Sequence, residues 1–303
     1  MNEITTQILG NFMCTLKKLS TIIAFIFFSL PVNAAVTITD TNSFNTVSKI
    51  TNSINQKYDS NKVLVVFDID NTLLTTGKSD LGGDIWYQWQ TDKLSIKPNE
   101  GQKVKCLYSD TIPMLYQLLP MTLTEPTVKE LINQLKTNNN TFFALSSRGN
   151  ETRSATTREL NKYGLDFSKN SLAPQGAKQA PVYFKTLNRP TAYLNGVALT
   201  SGVNKGQYID FLLDKTKRKF DALIFVDDGQ HNIDTVKEMF SSDKYANMDT
   251  QLIHYTKIVN DRIKKNGTVL TQPQAAKMDQ DWKALETTLN TIYPERTEGC
   301  LSH

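Results

Sequence analysis

The chain has 303 residues, a net charge of +4, 39% hydrophobic and 21% charged residues. That is the size and composition of one globular domain with inserted segments, which excludes a disordered or fibrous chain. Its Lys and Arg residues are scattered, with only short runs near 215–219 and 262–265, so the basic stripe needed for nucleic-acid binding is absent. Three histidines (His231, His254, His303) lie far apart, which argues against a Cys/His metal centre.

Lys17 and Lys18 precede an apolar run over 22–30, followed by Pro31-Val32-Asn33-Ala34. The order basic, apolar, small reads as a secretory signal peptide over 1–34, cleaved after Ala34 or Ala35. The run is short for a membrane span, so no stable membrane insertion is expected once it is removed. An uncleaved anchor is the alternative. Export predicts a periplasmic or secreted protein. It also makes a Cys106–Cys300 disulfide possible, although a pair of buried thiols fits as well.

Phe44, Val47 and Ile50 recur at helical spacing and predict a lead-in helix. Residues 63–67 (VLVVF) form a continuous β-branched run, the pattern of a strand buried on both faces. Similar runs recur at 141–145, 222–226 and 251–255, each after a helical stretch (126–136, 207–217, 235–240). Alternating buried strands and helices predict an α/β fold: a Rossmann-like, three-layer parallel sheet with small cap insertions. The core is expected to start at 35–74, resume at 126–164, and finish at 205–303 with a C-terminal helix near 274–293 packing on the sheet. Two segments break the alternation and read as insertions over the sheet's carboxyl edge. One is 75–125, with Trp86, Tyr87 and Trp89. The other is 165–204, where Asn195-Gly196 between apolar flanks signals a hairpin.

The chemistry concentrates at Asp68-Ile69-Asp70-Asn71-Thr72, directly after the first buried strand. In extended chain, Asp68 and Asp70 share a face. Two carboxylates there repel each other unless a cation or a proton intervenes. A calcium loop starting at Asp68 would need Gly at its sixth position and Glu at its twelfth, where this chain has Leu73 and Ser79. Polar groups also close the later strands or open the helices: Ser146-Ser147-Arg148, Lys205 ahead of a helix, and Asp227-Asp228.

This order of motifs resembles the haloacid dehalogenase-like superfamily of phosphohydrolases, over about residues 63–255. The resemblance implies Asp68 as a nucleophile forming an aspartyl-phosphate, and Asp70 as general acid and then base. It implies Mg2+ held by Asp68, Asp70, Asp227 and Asp228. It gives Ser146 and Lys205 the phosphoryl group and its charge. Asp70 at the motif's second acidic position favours phosphate ester chemistry over dehalogenation. The expected activity is a phosphomonoesterase acting on a small-molecule phosphate ester. A phosphotransferase, or a non-catalytic binding protein on the same fold, is the alternative. Ser147, Trp86 and Arg148 are candidate substrate contacts, and Arg153 is a candidate second phosphate contact. For Trp86, packing between cap and core is the competing reading.

Overall fold

The computed structural model describes residues 35–297 and Cys300. The expected signal segment lies outside the described residues. No described helix is long and apolar enough to cross a membrane.

The chain opens with β1 (Val36–Thr41) and α1 (Phe44–Lys57), then β2 (Val63–Phe67) and β3 (Leu74–Thr76). Next come α2 (Asp84–Gln90), a π-helical turn (Leu107–Thr111), α3 (Ile112–Leu118), β4 (Met121–Leu123), α4 (Thr127–Thr137), β5 (Thr141–Ser146) and α5 (Arg153–Lys162). The strands β6 (Tyr183–Thr186), β7 (Pro190–Leu194) and β8 (Val197–Leu199) precede α6 (Lys205–Thr216), β9 (Ala222–Asp227) and α7 (Gln230–Phe240). The chain continues through β10 (Asp249–Tyr255) and α8 (Lys257–Asn266) to α9 (Gln272–Ile292). Eight strands form one sheet in the order β1-β10-β9-β2-β5-β8-β7-β6. All pairings are parallel except β7 with β8 and β6 with β7. The fold is α/β.

The side-chain period of two explains the three layers. Along β2, Val63, Val65 and Phe67 enter one apolar cluster with Phe44 and Val47 of α1 and Leu131 and Leu135 of α4. Leu64 and Val66 enter the other, with Tyr208, Ile209 and Leu212 of α6 and Ile233 and Val236 of α7. Every β2 residue is therefore fully buried. Each such aliphatic side chain contributes roughly 1.5–3 kcal/mol by leaving water.

Three expectations change. First, β1 was not among the expected strands. Val36-Thr37-Ile38-Thr39 alternates as an edge strand does, and it pairs with β10 from Val36↔Thr250 to Thr41↔Tyr255. Second, the segment 165–204 does not cover the sheet but extends it, because β8 pairs in parallel with β5 (Ala144↔Val197). The hairpin within it does form. Asn195 and Gly196 have φ of 50° and 72°, the left-handed pair that a two-residue turn between twisted strands requires. Third, α9 packs chiefly on the insertion and not, as expected, on the sheet. Its Ala275, Met278 and Trp282 pack against Trp86, Trp89 and Leu115, so the C-terminal helix and the 75–125 insertion share their own apolar cluster.

A Cys106–Cys300 disulfide ties the same two segments together, closing a separation of 194 residues. Cross-linking over so long a loop removes much of the unfolded chain's freedom. Cys300→Ser is therefore expected to lower stability by roughly 2–5 kcal/mol. Urea unfolding measured without reductant checks this, and an unchanged midpoint would mean the bridge adds no stability.

Candidate active site

Strand register brings the two acidic segments together. Phe67 of β2 is paired with Val226 of β9, and the Asp68 N–H donates to the Val226 carbonyl at 2.9 Å. Asp68 and Asp227 therefore leave adjacent parallel strands side by side. On the other flank Phe67 is paired with Ala144, which places Ser146 at the neighbouring strand end. After Asp68 the chain turns tightly. The N–H groups of Leu73 and Leu74 donate to the Ile69 carbonyl, and Asn71 sits at φ 55°, a left-handed conformation that Asn tolerates better than most residues.

Lys205 is the first residue of α6, whose start is capped by the Asn204 side chain accepting from the Gln207 N–H. Its ammonium is almost fully buried. It donates to Asp68, and to Asp227 Oδ2 at 2.6 Å. The other Asp227 oxygen accepts from the Gly229 N–H at 2.8 Å and from Asn232 Nδ2 at 2.9 Å. An ammonium this dry is tolerable only with anions beside it. Burial opposes the Lys205 charge, but Asp227 and Asp68 more than offset this and raise its pKa.

The carboxylates outnumber that cation. Oxygens of Asp68, Asp227 and Asp228 lie within 4.8 Å of one another. Burial pushes the Asp68 carboxyl up to about 8, with Lys205 opposing and with Asp227 and Asp70 adding to the rise. Burial likewise raises Asp228 well above the usual carboxylate range, helped by Asp84, Asp68 and Asp227. Three converging carboxylates with one ammonium between them are a hard-oxygen donor set short of positive charge, and they fit a divalent cation such as Mg2+.

Asp70 is held differently. Arg148 forms a fork with it, Nε to Oδ2 at 2.8 Å and Nη2 to Oδ1 at 2.7 Å. The Tyr116 hydroxyl from α3 adds a third donor to Oδ1 at 3.3 Å. Burial opposes the Arg148 charge, but Asp70 more than offsets it and the guanidinium stays protonated.

Ser146 is buried, and its Oγ accepts from the Arg148 N–H at 3.1 Å. Ser147, on the same strand end, is exposed. The substrate contacts expected of three other residues are not what their surroundings offer. Trp86 is wholly buried in the cluster shared with α9 and presents no ring to a ligand. Arg148 is committed to Asp70. Arg153 donates to the carbonyls of Val197 and Ala192, bracing the β7–β8 hairpin.

Asp84 joins the site without a signal in the sequence beyond its place in the first turn of α2. Its Oδ2 accepts from Asn71 Nδ2 at 2.8 Å and from Gln88 Nε2 at 2.6 Å, which fastens the insertion to the acidic motif. Burial, followed by the nearby Asp70, pushes its carboxyl up to about 6. His254 is a second such residue. Its ring lies between Asp40 Oδ1 (2.8 Å from Nδ1) and the Asp228 carbonyl (3.1 Å from Nε2), linking edge strand β1 to the acidic turn.

A family model described as "Protein of unknown function (DUF2608)" matches residues 43–294, which is most of the chain and includes Asp68, Asp70, Ser146, Lys205, Asp227 and Asp228. The chain belongs to the DUF2608 family. No curated protein matches it. Among solved structures, this DUF2608 chain has a similarity to the class C acid phosphatase from Bacillus anthracis, at 12% identity and a TM-score of 0.37. That alignment covers 78% of this chain and 86% of the other. A haloacid dehalogenase-like family hydrolase from Streptococcus pneumoniae aligns at 12% identity and a TM-score of 0.33, over 68% of this chain and 100% of the other.

Proposed function

We propose that this DUF2608 protein is an exported, Mg2+-dependent phosphomonoesterase that works through an aspartyl-phosphate on Asp68. The observation that carries the reading is the sharing of one buried ammonium, Lys205, between Asp68 and Asp227 at adjacent strand ends. A buried carboxylate held beside a cation and beside further metal-type oxygens suits attack on a phosphoryl group, because phosphoryl transfer depends chiefly on positioning and charge stabilisation. Export draws support from the basic-apolar-small N-terminal sequence and from the Cys106–Cys300 bridge, a bond that persists in oxidising compartments.

In the proposed reaction an Asp68 oxygen attacks phosphorus, and the ester oxygen departs with a proton supplied by Asp70. Asp70 then takes a proton from water as that water attacks the phosphorus, which releases inorganic phosphate and restores Asp68. Lys205 balances charge on Asp68 and on the phosphoryl oxygens, and the Ser146 hydroxyl donates to one of those oxygens. Asp68, Asp227, Asp228 and the Asp70 carbonyl would hold Mg2+, which supplies charge neutralisation to the transferring group when bound. Small-molecule esters are the substrates expected to reach a site at the ends of buried strands.

Release of phosphate from para-nitrophenyl phosphate tests the reading. Turnover is expected with Mg2+, and its loss is expected on chelation with EDTA, with recovery when Mg2+ is restored. Full activity in excess chelator would remove the metal from the mechanism. A folded protein inert towards a broad panel of phosphate esters would leave the binding-protein alternative.

A further inference from the structure

Four of the five Arg148 N–H groups already have partners inside the protein. Nε and Nη2 hold Asp70 (2.8 and 2.7 Å), and Nη1 donates to Thr156 Oγ1 at 2.8 Å. Nη2 also lies 3.0 Å from Met121 Sδ. The Tyr116 ring lies under the guanidinium at 4.2 Å, and its hydroxyl reaches the same Asp70 oxygen. The Arg148 side chain is 2% exposed, whereas Asp70 is 15% exposed. The cation is thus enclosed, and the carboxylate is the more exposed member of the pair.

A fork of this kind fixes the plane of a carboxylate as well as its place, which a lysine cannot do. Thr156 holds the fork in turn, since its hydroxyl donates to the Thr152 carbonyl at 2.9 Å. Tyr116 comes from α3, inside the 75–125 insertion, so the insertion touches the chemistry as well as covering it.

We infer that Arg148 and Tyr116 are positioning residues for Asp70. They set the orientation of the carboxylate that handles the leaving-group proton, and they make no contact with the phosphoryl group. This rests on the phosphatase reading given above. It differs from direct phosphate binding by Arg148 in what it predicts. A residue acting through Asp70 matters most when the departing oxygen needs a proton, and it ceases to matter once Asp70 can no longer supply one.

The experiment measures kcat and KM with Mg2+ on two esters, para-nitrophenyl phosphate and glycerol phosphate. The proteins are wild type, Arg148→Gln, Arg148→Lys, Tyr116→Phe, Asp70→Asn and the Asp70→Asn/Arg148→Gln pair. On glycerol phosphate, Arg148→Gln is expected to lower kcat by about 10²-fold, the scale of general acid catalysis, with little change in KM. The loss should be much smaller on para-nitrophenyl phosphate, whose leaving group departs unprotonated. In the Asp70→Asn background Arg148→Gln should add almost nothing, and Arg148→Lys should restore only part of the activity. Tyr116→Phe keeps the ring and removes only the hydroxyl. It should produce a smaller loss with the same leaving-group dependence, which guards against a folding defect in the arginine variants. A rise in KM that is equal for both esters and persists in the Asp70→Asn background would overturn the inference, because it would mean that Arg148 grips phosphate directly. If wild type hydrolyses neither ester, the phosphatase reading fails. The pair is then judged by thermal unfolding of the same four-protein cycle. Non-additive losses would support the clamp, and additive ones would overturn it.

Discussion

Asp68→Asn should leave a folded protein whose turnover of para-nitrophenyl phosphate has fallen by about 10⁴-fold or more, the scale seen when a central catalytic residue is removed. The amide keeps the shape of the side chain and can still meet the Lys205 ammonium through its oxygen, but it is no nucleophile. The substitution also takes one negative charge from a crowd of buried carboxyls, in which Asp68 itself is pushed up to about 8. Thermal stability is therefore expected to hold or rise while activity disappears. Phosphate release and thermal unfolding of the same preparation check both halves. Equal turnover by the two proteins would remove Asp68 as the nucleophile.

Lys205→Met is expected to be damaging in both respects. The ammonium is the cation that Asp68 and Asp227 share, and its side chain is 2% exposed. Removing one partner of a buried ion pair leaves uncompensated charge in a dry interior, which costs about 3–5 kcal/mol. Phe225, whose ring centre lies 6.0 Å from the ammonium, cannot replace that charge. Because the donor set would be still shorter of positive charge, Mg2+ should raise the melting temperature of Lys205→Met more than that of wild type. A variant as stable as wild type and indifferent to Mg2+ would show that the carboxylates are relieved in another way. Activity should fall by about 10²–10³-fold, the cost of losing one preorganised electrostatic contact.

Much of the fold could be read because buried parallel strands are continuous apolar runs. The segment at 63–67 matches β2 residue for residue, and those at 141, 222 and 251 lie within β5, β9 and β10. Placing Asp68 and Asp227 at the ends of such runs was enough to expect them near each other, since strands of one parallel sheet end on the same side. The edge strand β1 was harder to see, as four of its six residues are Thr or Asp and none of the six is buried. Helix α9 carries an ordinary apolar stripe, and nothing in a stripe says which surface it will meet. For the same reason Trp86 could be read as a ligand platform or as packing. The partner that decides the matter, Trp282, lies almost 200 residues later. Asp84 and Tyr116 reach the site only through the path of an irregular insertion. Arg148 was visible as a charged residue after a strand, but its burial was not. Only the fold shows that each of its three nitrogens already donates to Asp70 or Thr156.

The sheet order also bears on how the chain matures during synthesis. The strand that leads into Asp68, β2, sits between β5 and β9, so its neighbours emerge from the ribosome roughly 80 and 160 residues after it. Until Lys205 has been translated, the nascent polypeptide holds Asp68 without the ammonium that later balances it, and Asp227 arrives later still. The pocket is thus a late product of biosynthesis. Fragments that stop short of α6 should stay open around Asp68, the acid cluster is complete once the turn after β9 has emerged, and α9 with Cys300 then closes the insertion.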